Sequence, residues 1–131
     1  MAKMAKTVLV VDDSKTTQML VKTTLNRIPM LSMLEAGNGR EALDMLRRQP
    51  VDLLVTDIQM PEMDGIELVR EVRNQADLRE LPILIITAKG EEAARGEGLR
   101  LGANAYILKP ISGRELIDTA SRLLLEAPKP V

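Results

Sequence analysis

Five short apolar runs punctuate the chain: Val8 to Val11, Leu31 to Leu34, Val51 to Val55, Ile83 to Ile86 and Ala105 to Leu108. Each is too short for a buried helix and is bounded by polar or turn residues, so each predicts a buried strand. Between them the apolar positions change to a helical period: Val21, Leu25 and Ile28; Ala42, Leu43 and Leu46; Ile66, Val69, Val72 and Ala76; and last Leu116, Ala120, Leu123 and Leu124. Continuous apolar strands alternating with amphipathic crossovers predict an α/β fold, a five-stranded parallel sheet with helices on both faces. Right-handed crossovers bury both sides of each central strand.

Boundary signals refine this pattern. Asp64-Gly65-Ile66-Glu67 has the form of a capping box that opens the third helix, and Leu81-Pro82 breaks the chain before the fourth strand. The fourth helix falls in Lys89 to Leu101, which contains Gly90, Gly96 and Gly98. An interior glycine costs about 1 kcal/mol relative to alanine, so this helix is expected to be short or mobile. Ala127-Pro128-Lys129-Pro130 cannot extend the last helix and reads as a tail.

Composition narrows the chemistry. The 131 residues include no Cys and no His, which excludes a Ser-His-Asp triad, a thiol nucleophile, disulfides and the usual zinc ligand sets. Eighteen Lys plus Arg against nineteen Asp plus Glu, with Tyr106 the sole aromatic, argue against binding to nucleic acid, which wants basic surface or aromatic faces. The core must be aliphatic and methionine-filled. Asp12 and Asp13 end the first apolar run well short of a secretory segment, and no run approaches membrane-spanning length. The expectation is a cytoplasmic protein with no membrane partner.

Ligands of an open parallel sheet bind at the carboxyl ends of its strands. Asp12 and Asp13 follow the first strand, Asp57 ends the third, Thr87 the fourth and Lys109 the fifth, whereas the second runs into Glu35-Ala36-Gly37. Three carboxylates and one ammonium leave a net charge of minus two, which a divalent cation would balance. Two carboxylates about 4 Å apart repel by roughly 4 kcal/mol at an effective dielectric near 20, so without a cation one would tend to take a proton. A donor set of hard oxygens favours Mg2+. Carboxylate, metal and lysine together suit phosphoryl transfer, with a carboxylate able to serve as nucleophile. Each residue also has a structural explanation: Asp13 or Ser14 as a helix cap, Asp57 as a turn residue, Thr87 as a β-branched strand end, Lys109 as a solvated charge, Tyr106 as core packing. For the four strand ends, leaving Tyr106 aside, the purely structural reading requires four coincidences on one edge.

Val8-Leu9-Val10-Val11-Asp12-Asp13-Ser14, Asp57-Ile58-Gln59-Met60-Pro61-Glu62-Met63-Asp64-Gly65, Thr87-Ala88 and Gly102-Ala103-Asn104-Ala105-Tyr106-Ile107-Leu108-Lys109-Pro110 together resemble the receiver domain of two-component response regulators, nearest to the single-domain chemotaxis type. The resemblance covers nearly the whole chain. It implies a receiver domain over residues 1–127 with a proline-containing tail at 128–131, and the strand order 2-1-3-4-5 of CheY-like proteins, which is itself a standard example of that order. It further implies that Asp57 accepts a phosphoryl group from a histidine kinase or a small phosphodonor. Asp13, Asp57 and the Gln59 carbonyl would hold Mg2+, with Asp12 acting largely through water; Lys109 would pair with the acceptor or phosphoryl oxygens, and the Lys109-Pro110 bond would be cis. Thr87 and Tyr106 would form the switch, and a surface of the fourth helix, fifth strand and fifth helix would meet a downstream target protein. The receiver would assist its own phosphorylation and dephosphorylation without being an enzyme in the ordinary sense. It is expected to act as a monomer, with dimerisation on phosphorylation left open.

The sequence departs from the chemotaxis pattern at Ile111, where an aromatic is common, and in the glycines of the fourth helix, which suggest a helix ordered by phosphorylation. Gln59 and Lys89 stand at positions that in the family influence the hydrolytic water, and so would tune phosphate lifetime. Two rival functions fit less well. An aspartyl-phosphate phosphohydrolase of the haloacid-dehalogenase kind needs an Asp where Gln59 stands, and a flavodoxin-like flavin carrier needs a phosphate loop where Asp12 and Asp13 stand. A receiver cut from a multidomain regulator would share every motif.

Overall fold

The computed structural model describes residues 5–125. Five strands, β1 (Lys6–Val11), β2 (Leu31–Ala36), β3 (Leu53–Asp57), β4 (Ile83–Thr87) and β5 (Ala105–Leu108), alternate with α1 (Lys15–Leu25), α2 (Gly39–Arg48), α3 (Gly65–Arg73), α4 (Glu92–Leu101) and α5 (Gly113–Leu125). All neighbouring strands pair in parallel, in the order β2-β1-β3-β4-β5. The tail expected at 128–131 lies outside the described residues.

The strand period of two sorts the core into two layers. Leu9, Val11, Leu54, Ile83 and Ile85 point to one face, where they pack with residues of α2, α3 and the α4 side of the sheet. Val8, Val10, Leu53, Val55, Leu84, Ile86 and Ile107 point to the other and meet Val21 and Leu25 of α1 and Leu116, Ala120, Leu123 and Leu124 of α5. Fully burying a Leu or Ile contributes about 1.5–3 kcal/mol, so β1, β3 and β4 together anchor the molecule. The edge strands are less buried than their apolar runs suggest. In β2 only Ala36 is buried, and in β5 only Ile107, because each has a neighbouring strand on one side alone.

Three element boundaries, two of helices and one of a strand, fall short of the apolar period. Ile28 and Ala76 lie beyond α1 and α3, which end at Leu25 and Arg73 and are capped by Asn26 and Asn74, and Ala76 belongs to a separate 3-10 turn at Ala76–Leu78. Val51 precedes β3. Ile28 and Val51 still pack against the core, so the apolar pattern there records burial of a connection rather than of an element.

The fourth helix, expected to be short or mobile, is not short: α4 has ten residues, as many as α2. Only Gly96 acts as an ordinary interior glycine. Gly90 precedes the helix with φ of +93°, a turn conformation that favours glycine, and Gly98 is a contact residue. A Cβ on Gly98 would stand 2.6 Å from Ile85 Cδ1 and 3.0 Å from Ile66 Cδ1, so the glycine lets α4 lie directly on β4 and α3. The Arg73 guanidinium fastens the far end of α4, donating to the carbonyls of Leu78, Leu81 and Gly102 and to the Asn104 side chain.

Candidate functional site

The chain crosses to opposite faces of the sheet from β1 and β3, which are adjacent, and the cleft this leaves at their carboxyl ends collects the acidic residues. Asp12 leaves β1 with its backbone N–H donating to the Ala36 carbonyl at 3.1 Å. Its carboxylate accepts from the Ser14 N–H at 2.8 Å. Ser14, not Asp13, caps α1, accepting from the Thr17 N–H at 3.2 Å, so the exposed Asp13 carboxylate is left for the cleft. Behind them the buried Gln18 amide donates to the carbonyls of Asp12 at 2.6 Å and Ala36 at 2.9 Å, which ties the ends of β1 and β2 together.

Asp57 ends β3 with its two oxygens differently held. One accepts from the Ile58 N–H at 2.8 Å and the other from the Lys109 ammonium at 3.1 Å. The Thr56 hydroxyl donates to the Asp57 carbonyl at 2.8 Å. The same carbonyl lies against Gly65, where a Cβ would come within 2.1 Å, and the Gly65 N–H donates to the Ile58 carbonyl at 2.7 Å. The capping box of Asp64 and Glu67 is formed as the sequence predicts, and it starts α3 hard against the backbone of Asp57. Lys109 is positioned by its own N–H, which donates to the Thr87 carbonyl at 2.7 Å; the peptide bond to Pro110 is cis, in agreement with the resemblance.

Ligand oxygens of Asp12, Asp13 and Asp57 all lie within 4.8 Å of one another. Burial is the main cause that pushes the Asp12 carboxyl up to about 6, with the Asp57 and Asp13 charges adding to it; the Ser14 N–H and Lys109 oppose the rise. Three carboxylates this close, one of them buried, form a donor set that could hold a divalent cation. All donors are hard oxygens, and exposed Asp13 leaves the cleft open to water, which fits Mg2+ better than a softer metal.

The fold therefore brings together Asp12, Asp13, Asp57 and Lys109. Thr87 ends the neighbouring strand, fully buried, but its hydroxyl donates to the Glu91 carboxylate at 3.0 Å. Tyr106, in the middle of β5, points outward and is 40 % exposed, with the Arg95 guanidinium 4.6 Å from its ring centre. Gln59 and Lys89 are exposed on the loops that follow β3 and β4. Three residues that shape the site carry little signal in the sequence. Gln18 could have been found as a polar residue in register with Val21 and Leu25 on the buried stripe of α1, whereas Gly65 and Glu91 declare their roles only through contacts between elements.

The response regulator receiver domain family matches residues 8–121. Over 117 residues the chain is 42 % identical to a chemotaxis protein CheY homolog of Campylobacter jejuni, covering 88 % of this chain and 90 % of that one. Among solved structures, the chemotaxis response regulator CheY4 of Vibrio cholerae superposes with a TM-score of 0.82 at 34 % identity, covering 92 % of this chain and 99 % of its own. The signal receiver domain of a signal transduction histidine kinase from Syntrophus aciditrophicus gives a TM-score of 0.86 at 32 % identity, covering 97 % of each.

Proposed function

This chain belongs to the response regulator receiver domain family, and from that premise we propose that Asp57 is its phosphoacceptor in chemotaxis-type signalling. The observation that carries the proposal is the setting of the Asp57 carboxylate, with one oxygen fixed by the Ile58 N–H, the other facing the Lys109 ammonium, and two further carboxylates beside it.

An Asp57 oxygen attacks the phosphorus of a phosphohistidine on a histidine kinase, or of a small acyl phosphate. The new P–O bond forms as the P–N or donor P–O bond breaks. The leaving group takes the electron pair, and with phosphohistidine the departing imidazole picks up a proton from water. Lys109 offsets charge on the phosphoryl oxygens and on the acceptor. Asp12, Asp13, Asp57 and the Gln59 carbonyl would hold Mg2+, which when bound supplies charge neutralisation at the phosphoryl group. The acyl phosphate is lost when water attacks phosphorus and the carboxylate leaves, and Gln59 and Lys89, exposed at the mouth of the site, would set how readily that water enters.

The output is a population shift. Thr87 would exchange its present acceptor for a phosphoryl oxygen, and Tyr106 would move inward. Leu99 of α4 and Tyr106 and Leu108 of β5 are exposed apolar side chains, and remodelling of the surface they belong to would change affinity for a downstream target protein.

Intact mass after incubation with acetyl phosphate and Mg2+ tests the proposal. One phosphoryl adduct is expected, absent in Asp57→Asn and absent when the metal is chelated; an adduct that survives Asp57→Asn would refute the assignment. The similarity to the receiver of a histidine kinase supports a second reading, in which the same chemistry serves a larger regulator, and the size of the native polypeptide in cells separates the two.

A further inference from the structure

The first turn of α4 contacts both switch residues. Glu91, immediately before the helix, accepts through one carboxylate oxygen from the Thr87 hydroxyl at 3.0 Å and from the Ala88 N–H at 2.7 Å. One turn later Arg95, whose N–H donates to the Glu91 carbonyl at 2.9 Å, lays its guanidinium over the Tyr106 ring, 4.6 Å from the centre. Thr87 and Tyr106 sit on neighbouring strands, β4 and β5, with Ile85 as the register partner of Tyr106 and Leu108 that of Thr87. One helical turn therefore grips the end of β4 and the middle of β5 together.

We propose that Glu91 and Arg95 are positioning residues that form a two-point clasp, holding Thr87 turned away from Asp57 and Tyr106 outward until the site is phosphorylated. This rests on the reading of Asp57 as phosphoacceptor. A threonine hydroxyl has a single proton to donate, so while Glu91 accepts it the hydroxyl cannot donate to an oxygen on Asp57. A charged acceptor makes that bond stronger than a neutral one would, and the cation over the exposed face of Tyr106 favours the outward ring. Because Glu91 and Arg95 are joined by a helix backbone bond, displacing one contact moves the mount of the other. The clasp sets the resting population of the switch.

The chain offers its own probe. Tyr106 is the sole aromatic residue, so tyrosine fluorescence and its quenching by neutral acrylamide report on that ring alone. Each variant is read at the switch residue it does not touch: Glu91→Ala by acrylamide quenching of Tyr106, and Arg95→Ala by the chemical shift of the Thr87 methyl group. Both are measured without phosphodonor, and a merely local packing role would move neither. Glu91→Ala is expected to lower the quenching constant of Tyr106, and Arg95→Ala to move the Thr87 methyl signal toward its position in wild type with beryllium fluoride and Mg2+. If the inward state rises from about a tenth to about half of the molecules, phosphorylation by acetyl phosphate speeds up about fivefold. Glu91→Gln, which keeps an acceptor oxygen without the charge, should fall between wild type and Glu91→Ala, and it replaces that variant if circular dichroism shows the alanine form unfolded. Folded variants whose remote signals match those of wild type would overturn the clasp. Failure of wild type to form an Asp57 adduct would instead overturn the phosphoacceptor reading, and the remote signals would still decide whether the clasp exists.

Discussion

Burial raises the Asp12 carboxyl from the ordinary 3.8 to about 6, and this has a sign that can be checked. Between those values the folded chain binds the proton more tightly than the unfolded chain. The stability Asp12 contributes is therefore fully present below about pH 4 and is lost as pH rises through about 6. At 3 % exposure the carboxylate is poorly solvated, so the loss is on the order of 1–3 kcal/mol. Asp12→Asn is expected to stabilise the metal-free protein by that order at pH 7.5 and much less at pH 4.5, measured as urea midpoints in chelator. An equal gain at both values would mean that ionisation is not the cause. The same proton competes with the cation, so Mg2+ affinity should fall as pH drops below about 6.

At the scale of elements, the glycines make opposite predictions from the same chemistry. Gly96→Ala meets nothing closer than Arg100 Nη1 at 3.6 Å, so the substitution should stabilise α4 by about 0.5–1 kcal/mol. Gly98→Ala gains the same propensity but drives a methyl into Ile85 and Ile66, and overpacking of this kind costs about 1–3 kcal/mol, leaving a net loss. Thermal midpoints of the two variants should move in opposite directions. Gly65→Ala is more severe because the obstacle is the Asp57 carbonyl, a backbone atom that cannot rotate away. It should destabilise by about 3 kcal/mol and, by shifting Asp57 from Lys109, also slow labelling by acetyl phosphate in the molecules that remain folded. The glycines were visible in the sequence as a cost to α4, but the close approach that Gly98 permits is a property of three elements at once.

For the whole molecule, the acidic cleft couples ligand to stability. A cation that binds only the folded chain adds about 2.7 kcal/mol at a hundredfold its dissociation constant. Addition of Mg2+ should raise the thermal midpoint, chelation should reverse the gain, and Asp12→Asn should blunt it. A midpoint indifferent to Mg2+ would argue against a metal held by Asp12, Asp13 and Asp57. No helix among the described residues is long and apolar enough to cross a membrane, and the two layers of core lie on either face of one sheet. The five strands and five α-helices of that architecture were legible beforehand as elements, but the length of α4 and the 3-10 turn at Ala76–Leu78 were not. The limits were at Ile28 and Val51, where packed connections carry the same apolar signal as the elements they join, at Ala76, which is exposed in a separate 3-10 turn, and at β2 and β5, whose apolar runs do not say that they lie at the edges.

The linear pattern by itself determined the alternation of strands and helices, the capping box at Asp64, and the arrival of Asp12, Asp13, Asp57, Thr87 and Lys109 at one edge. These follow from local periodicity and from the rule that parallel strands all end on the same side. Tertiary structure alone decided which groups each of those side chains meets. Lys109 reaches Asp57 because β4 separates their strands by a fixed spacing, while the Thr87 hydroxyl turns to Glu91 because the turn through Gly90 carries that carboxylate back over the strand end. Tyr106 stands outward under Arg95 for the same reason, since α4 is laid against β4 by a glycine that has no side chain to hold it off. Periodicity records which residues are buried; it carries no information about the distances between elements, and on those distances the contacts of Thr87 and Tyr106 depend.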